Sequence, residues 1–197
     1  MQKIYYSDGA CSGNPGPDGW GLISILNYVS YNGEEDIKTI IPIIMESYCG
    51  QEENTTNNRM EMQAVLKCME LAAADPDNNY ICYCDSAYVV NMCNDWIRKW
   101  AQNGWQNSKK QTVENLDLVK KIYNYLNTDF FNFQLVKCAG YSGVLGNELA
   151  DALATKDKAK WNRLKMEYNF VDNSNIFDKV RTGRVRSGQS VRNKNYI

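Results

Sequence analysis

The sequence predicts an α/β fold built on a mixed five-stranded sheet, with the first three strands antiparallel, the later strands parallel, and helices flanking it. Three observations lead there. Strand-like and helix-like segments follow in the order strand, strand, strand, helix, strand, helices, strand, helix. The opening strands are joined by turn residues, which suits a hairpin, whereas the later strands alternate with helices, which suits parallel crossovers. The 197 residues, 44% apolar and 23% charged, are enough to bury a real core.

Ile4 to Ala10 reads as the first strand, and Gly9 to Gly21 as a glycine- and proline-rich turn that includes Gly13-Asn14-Pro15-Gly16-Pro17. Trp20 to Val29 and Ile37 to Ser47 are rich in β-branched and aromatic residues, and Ser30-Tyr31-Asn32-Gly33 joins them as a long hairpin. Residues 50–55 are polar and read as a loop. Thr56 or Asn57 caps a helix running to Ala74, whose buried face is Met60, Ala64, Cys68, Leu71 and Ala72. Tyr80 to Cys84 is a short strand ending at Asp85, and a helix begins at Ser86. Residues 96–112 hold three tryptophans among polar residues; Val113 to Leu126 is a helix, Phe130 to Val136 a strand, and Asn147 to about Lys165 a final helix.

No apolar run approaches the roughly 18–20 residues of a membrane span, so no membrane partner is expected. The N-terminus lacks the basic and apolar regions of a signal peptide, which points to a cytoplasmic, intracellular chain. Seven cysteines lie within strands and helices without a Cys-x-x-Cys pair, and are expected as reduced thiols, with Cys82 and Cys84 as small core residues. With no histidine and no paired cysteines, a structural zinc site is not expected. Residues 156–197 carry eleven Lys/Arg against four Asp/Glu, leaving the body at −8 within a total of −1. An acidic body with a basic tail suggests a polyanionic partner for the tail.

Asp8 lies near the end of the first strand and Asp85 ends the fourth, so parallel pairing brings both to one sheet edge. Glu61 and Asp151 sit in the early turns of two helices that can lean over that edge. Four acids in one pocket raise each other's pKa, and divalent metals resolve the conflict. Hard oxygen ligands suit Mg²⁺ or Mn²⁺, and two such ions about 4 Å apart activate water and stabilise the leaving oxygen in phosphodiester hydrolysis.

Four sequence words surround these acids. They are Asp8-Gly9-Ala10-Cys11-Ser12-Gly13-Asn14-Pro15-Gly16-Pro17 with Gly19-Trp20-Gly21; Thr55-Thr56-Asn57-Asn58-Arg59-Met60-Glu61; Asp85-Ser86-x-Tyr88-Val89; and Gly143-x-x-x-Asn147-Glu148-x-Ala150-Asp151. In that order, over roughly residues 1–160, the chain resembles type 1 ribonuclease H, which implies a catalytic domain over 1–160 and leaves 161–197 as a basic extension, partly disordered or accessory. The resemblance implies the ribonuclease H-like fold and endonucleolytic cleavage of the RNA strand in an RNA–DNA hybrid, leaving 3′-hydroxyl and 5′-phosphate ends. It carries the metal-ligand roles onto Asp8, Glu61, Asp85 and Asp151, with two divalent ions as cofactors and Asp8 bridging both. It further implies RNA-strand contacts from Cys11, Ser12, Asn14, Asn57 and Asn58, which suit the 2′-hydroxyls that distinguish RNA from DNA. DNA-strand contacts fall on Trp100, Tyr88 and Ser108 at the sugars and on Thr56 and Asn115 at a phosphate, while Trp96 is assigned to the core. The acting unit is expected to be a monomer.

Three positions depart from the family pattern. Tyr141 stands where a mobile loop usually carries histidine, and a tyrosine with a pKa near 10 is a poor base at neutral pH. Asn54 replaces a frequent arginine at the phosphate pocket, and Ala87 replaces a longer side chain facing the RNA. A hybrid-binding module that turns over slowly or not at all, and another nuclease of the same fold, are the competing readings.

Overall fold

The computed structural model describes residues 1–13, 16–31, 38–129, 131–140, 143–172, 176–177 and 190–192. Asn14, Tyr141, the hairpin turn after Tyr31 and most of the basic tail lie outside the described residues.

The strands are β1 (Gln2–Cys11), β2 (Gly16–Tyr31), β3 (Lys38–Thr55), β4 (Asn79–Cys84), β5 (Phe133–Lys137), β6 (Val171–Asp172) and β7 (Ser190–Arg192). They form one sheet in the order β5-β4-β1-β2-β3-β6, with β7 also pairing with β3. β1–β2 and β2–β3 are antiparallel, while β1–β4 and β4–β5 are parallel. This is the mixed sheet that the segment order predicts. The count differs: two short strands from the C-terminal extension join the five, β6 pairing with Ile43–Ile44 and β7 with Glu46–Tyr48.

Two other expectations need correction. Residues 50–55 continue β3 instead of forming a loop, because Gln51, Glu52 and Thr55 pair with Gly19, Asp18 and Gly16 of β2. For the same reason the opening turn is short, since β1 runs to Cys11 and β2 starts at Gly16. Polar side chains on the solvated end of a strand lack the alternation that announces one.

The helices are α1 (Asn57–Ala73), α2 (Ala87–Asn91), α3 (Ile97–Gln102), α4 (Leu116–Leu126), α5 (Leu145–Ala154) and α6 (Lys158–Tyr168). One π turn, Met92–Trp96, links α2 to α3. Thr56 caps α1, its hydroxyl accepting from the Arg59 amide at 3.4 Å. Asn115, placed within a helix by the sequence, instead precedes α4 with a φ of 52°. The expected single helix over 147–165 is two. α5 ends in a Schellman turn, with Lys156 at φ 56°, its amide donating to Leu153 O and the Asp157 amide to Ala152 O. Asp157 then caps α6 by accepting from the Lys160 amide at 2.8 Å.

Successive residues of a strand face opposite sides of a sheet, and here each side has its own core. Leu22 and Tyr48 join α1, α2 and α4 on one face, whereas Ile23 and Cys49 join α5 and α6 on the other. The second core also takes Trp161, Leu164, Phe170, Ile176 and Phe177 from beyond residue 160. All seven cysteines are free thiols, and Cys82 and Cys84 are fully buried. Among the described residues no helix is long and apolar enough to cross a membrane.

Candidate metal centre and nucleic-acid interface

The site forms where β1 and β4 run side by side. Ser7 pairs with Cys84 in parallel register, so the next residues, Asp8 and Asp85, emerge next to each other. Two glycines bring the helices down onto this pair. A Cβ on Gly9 would collide with the backbone nitrogen of Glu61, so α1 lies directly on β1 at that point. A Cβ on Gly21, the β2 partner of Asp8, would collide with the carbonyl of Ala150, which fixes the neighbouring Asp151. Close backbone approach of this kind requires glycine.

Carboxylate oxygens of Asp8, Glu61 and Asp85 all lie within 4.8 Å of one another. Asp8 and Glu61 are buried, whereas Asp85 is half-buried. Asp151, also half-buried, reaches the group through a side-chain hydrogen bond with Asp8. Burial, together with the charges of Asp85 and Asp151, pushes the Asp8 carboxyl up to about 8, against a slight lowering by the Gly9 amide. Burial and the charges of Asp8 and Asp85 likewise hold Glu61 well above the usual carboxylate range. The Cys84 thiol donates to Glu61 Oε2 at 3.8 Å, and the Asn147 amide donates to Asp85 Oδ2 at 3.5 Å. Among the described residues no lysine or arginine pairs with Asp8, Glu61 or Asp85. Buried acids crowded without a counter-ion are a cation site in chemical terms, and an all-oxygen donor set suits a hard divalent metal.

Asp151 is different. Its Oδ2 lies 2.6 Å from Lys160 Nζ, which also lies 2.6 Å from Glu148 Oε2. Nothing in the sequence singles Lys160 out, because the turn that folds α6 back onto α5 uses Lys156, and not glycine, at the left-handed position.

The expected nucleic-acid contacts spread on either side of the carboxylates. Cys11 and Ser12 line a polar cavity of 630 Å³ with Glu52, Glu53, Thr155 and Lys156. Asn57 is exposed and Asn58 half-buried at the start of α1. On the other side, Trp100 and Ser108 line a groove of 490 Å³ with Trp96, Lys99 and Asn103. Tyr88 meets Trp96 edge to face at 5.6 Å, and Trp96 lies 5.9 Å from Trp100. Trp96 therefore packs on the core and also lines the groove. Thr56 and Asn115 are linked by Arg59, whose amide bonds the Thr56 hydroxyl and whose Nη1 donates to Asn115 Oδ1 at 3.5 Å. Arg59 also pairs with Asp117 at 2.9 Å and Glu52 at 2.8 Å, so its charge is matched within the protein.

The RNase H family model matches residues 1–159. A ribonuclease H from Legionella pneumophila (strain Lens) is 42% identical over 154 residues, covering 78% of this chain and 94% of that protein. One from Orientia tsutsugamushi (strain Boryong) is 39% identical over 153 residues, covering 78% and 80%. Among solved structures, LC9-RNase H1, described as a type 1 RNase H with the type 2 active-site motif, is similar with a TM-score of 0.59 at 28% identity, over 78% of this chain and 70% of that one. The PFV RNase H domain shares the fold with a TM-score of 0.59 at 22% identity, over 78% and 92%.

Proposed function

The chain belongs to the ribonuclease H family, and from that membership we propose that Asp8, Glu61, Asp85 and Asp151 hold two divalent ions, Mg²⁺ or Mn²⁺, with which it cuts RNA. It is an endoribonuclease that hydrolyses the RNA strand of an RNA–DNA hybrid. The observation that carries the assignment is the buried Asp8–Glu61–Asp85 group, its oxygens within 4.8 Å of one another and joined to Asp151 through Asp8.

Divalent ions supply charge stabilisation for the attacking water and the leaving oxygen of a phosphodiester. The protein's own residues prepare that chemistry. Asp8 is in contact with Asp151 and close to Glu61 and Asp85, so with them it would hold the ions, whose charge would favour its carboxylate form. The Gly9 amide and the Cys84 thiol fix Glu61, and Asn147 fixes Asp85, so the ligands are oriented before substrate arrives. Cys11, Ser12, Asn14, Asn57 and Asn58 read the 2′-hydroxyls of the RNA strand. Tyr88, Trp100 and Ser108 pack on the DNA sugars, and Thr56 with Asn115 takes a DNA phosphate while Arg59 orients both. Tyr141 is a poor general base at neutral pH, so the carboxylates and their ions would carry nearly all of the reaction. The acting unit is a monomer.

Incubating the protein with an RNA–DNA hybrid labelled on the RNA strand, with and without Mg²⁺ or Mn²⁺, tests this reading. Cleavage requires the metal, and Asp85→Asn lowers the rate by at least about a hundredfold. Equal cleavage by the two proteins, or none by either, would overturn the assignment.

A further inference from the structure

Lys160 places a cation inside a site built to receive cations. Its Nζ lies 2.6 Å from both Asp151 and Glu148, and its side chain is only 12% exposed, against 23% for Asp151 and 18% for Glu148. The position is built, not incidental. The Schellman turn after α5 and the Asp157 cap fix the backbone at Lys160, and the next residue, Trp161, is buried against Phe170 and Phe177. Glu148 and Asp151 stand three residues apart on one face of α5, so a single ammonium group serves both.

We propose that Lys160 is a positioning residue, a tethered counter-ion that holds Asp151 while the site lacks metal and must yield that carboxylate when an ion binds there. The proposal rests on the metal reading above. The Asp8–Glu61–Asp85 group has no such partner among the described residues, so an ion entering there meets no competitor. An ion that needs Asp151 meets an ammonium group already on Oδ2, and two cations at that distance repel. Glu148 is where the ammonium group remains once Asp151 has turned to the metal. The two metal-binding events are therefore unequal, and Lys160 sets the difference.

Mn²⁺ titration of the full chain by calorimetry, without nucleic acid, tests the idea in the wild type, Lys160→Met and Lys160→Arg. Lys160→Met keeps the length but removes the charge. It is expected to tighten the weakest Mn²⁺ event by roughly tenfold, a typical coupling between sites, and to lower by a similar factor the Mg²⁺ concentration that half-saturates hybrid cleavage. Lys160→Arg keeps the wild-type values. In chelator, Lys160→Met melts below the wild type, because Asp151 and Glu148 then lose the ammonium group that they share, and saturating Mn²⁺ closes that gap. Should Lys160→Met fail to fold without metal, Lys160→Gln refolded in Mn²⁺ gives the same affinity comparison. Equal Mn²⁺ affinity in all proteins, with a melting deficit that metal does not close, would make Lys160 a mere tie between helices and overturn the proposal. No Mn²⁺ binding by the wild type would overturn the metal reading as well.

Discussion

Asp8 is in electrostatic contact with Glu61, Asp85 and Asp151, and its protonation ties the site to the stability of the fold. Its folded value of about 8 lies far above the ordinary 3.8, so without metal the folded state holds this proton more tightly than the unfolded chain does. The stabilising contribution is fully present below about pH 4 and is lost as pH rises towards 8. In chelator, the Tm should therefore fall between pH 5 and pH 8 by roughly 5 °C from this group, and Mg²⁺ should reduce the fall. Asp8→Asn should flatten the slope and melt higher than the wild type at pH 8 without metal. A wild-type Tm that is level or rises over that range would contradict the burial argument. The four acids were legible in the sequence because each sits in a word whose other letters have mechanical jobs. Gly9 and Gly21 explain two of those letters, since each removes the side chain that would keep a helix off the sheet.

At the scale of elements, most of the sheet could be read in advance, because β1, β4 and β5 each hold a short apolar stretch, Ile4–Tyr6, Tyr80–Cys84 and Leu135–Val136. The end of β3 could not, since Gln51 and Glu53 are exposed and Glu52 turns to Arg59 and Gln63 of α1, so no apolar alternation announces the strand. The break between α5 and α6 was hidden for a different reason, as its left-handed position holds a lysine and not glycine, and Asp157 alone supplies a cap signal. That break matters for stability. Trp161, Leu164 and Phe170 are each no more than 5% exposed and close the core under Ile23, Ile44 and Leu153. Burying three such side chains contributes on the order of 5 kcal/mol, so a chain ending at residue 157 should lose cooperative melting or drop by roughly 10 °C or more. Thermal unfolding followed by circular dichroism measures this directly. A truncated chain that melts like the full one would mean that the second core closes without α6.

For the whole molecule, the charge is divided: residues 1–155 carry a net −8 and the remainder +7. Arg59, the cation nearest Thr56 and Asn115, is already matched by Glu52 and Asp117, and Asn54 supplies no charge there. That position therefore offers no unmatched cation to a phosphate, and the tail holds the chain's surplus of positive charge. Removing residues 178–197, which leaves the buried Ile176 and Phe177 in place, should weaken hybrid binding and flatten its salt dependence. Each phosphate that the tail no longer neutralises takes about 0.9 from the slope of log K against log salt. Binding measured by anisotropy across a salt series gives that slope, and an unchanged one would leave the tail without a role in affinity.

The sheet order carries one more consequence. Asp8 sits on the first strand and Asp151 on the fifth helix, while the core that seats that helix closes only with Trp161 and Phe170. Synthesis runs from the N-terminus, and units fold as they emerge. A growing chain on the ribosome thus displays its first three acids long before the fourth can join them. Such a chain cannot bring the four carboxylates together until α5 and the residues that seat it have been made.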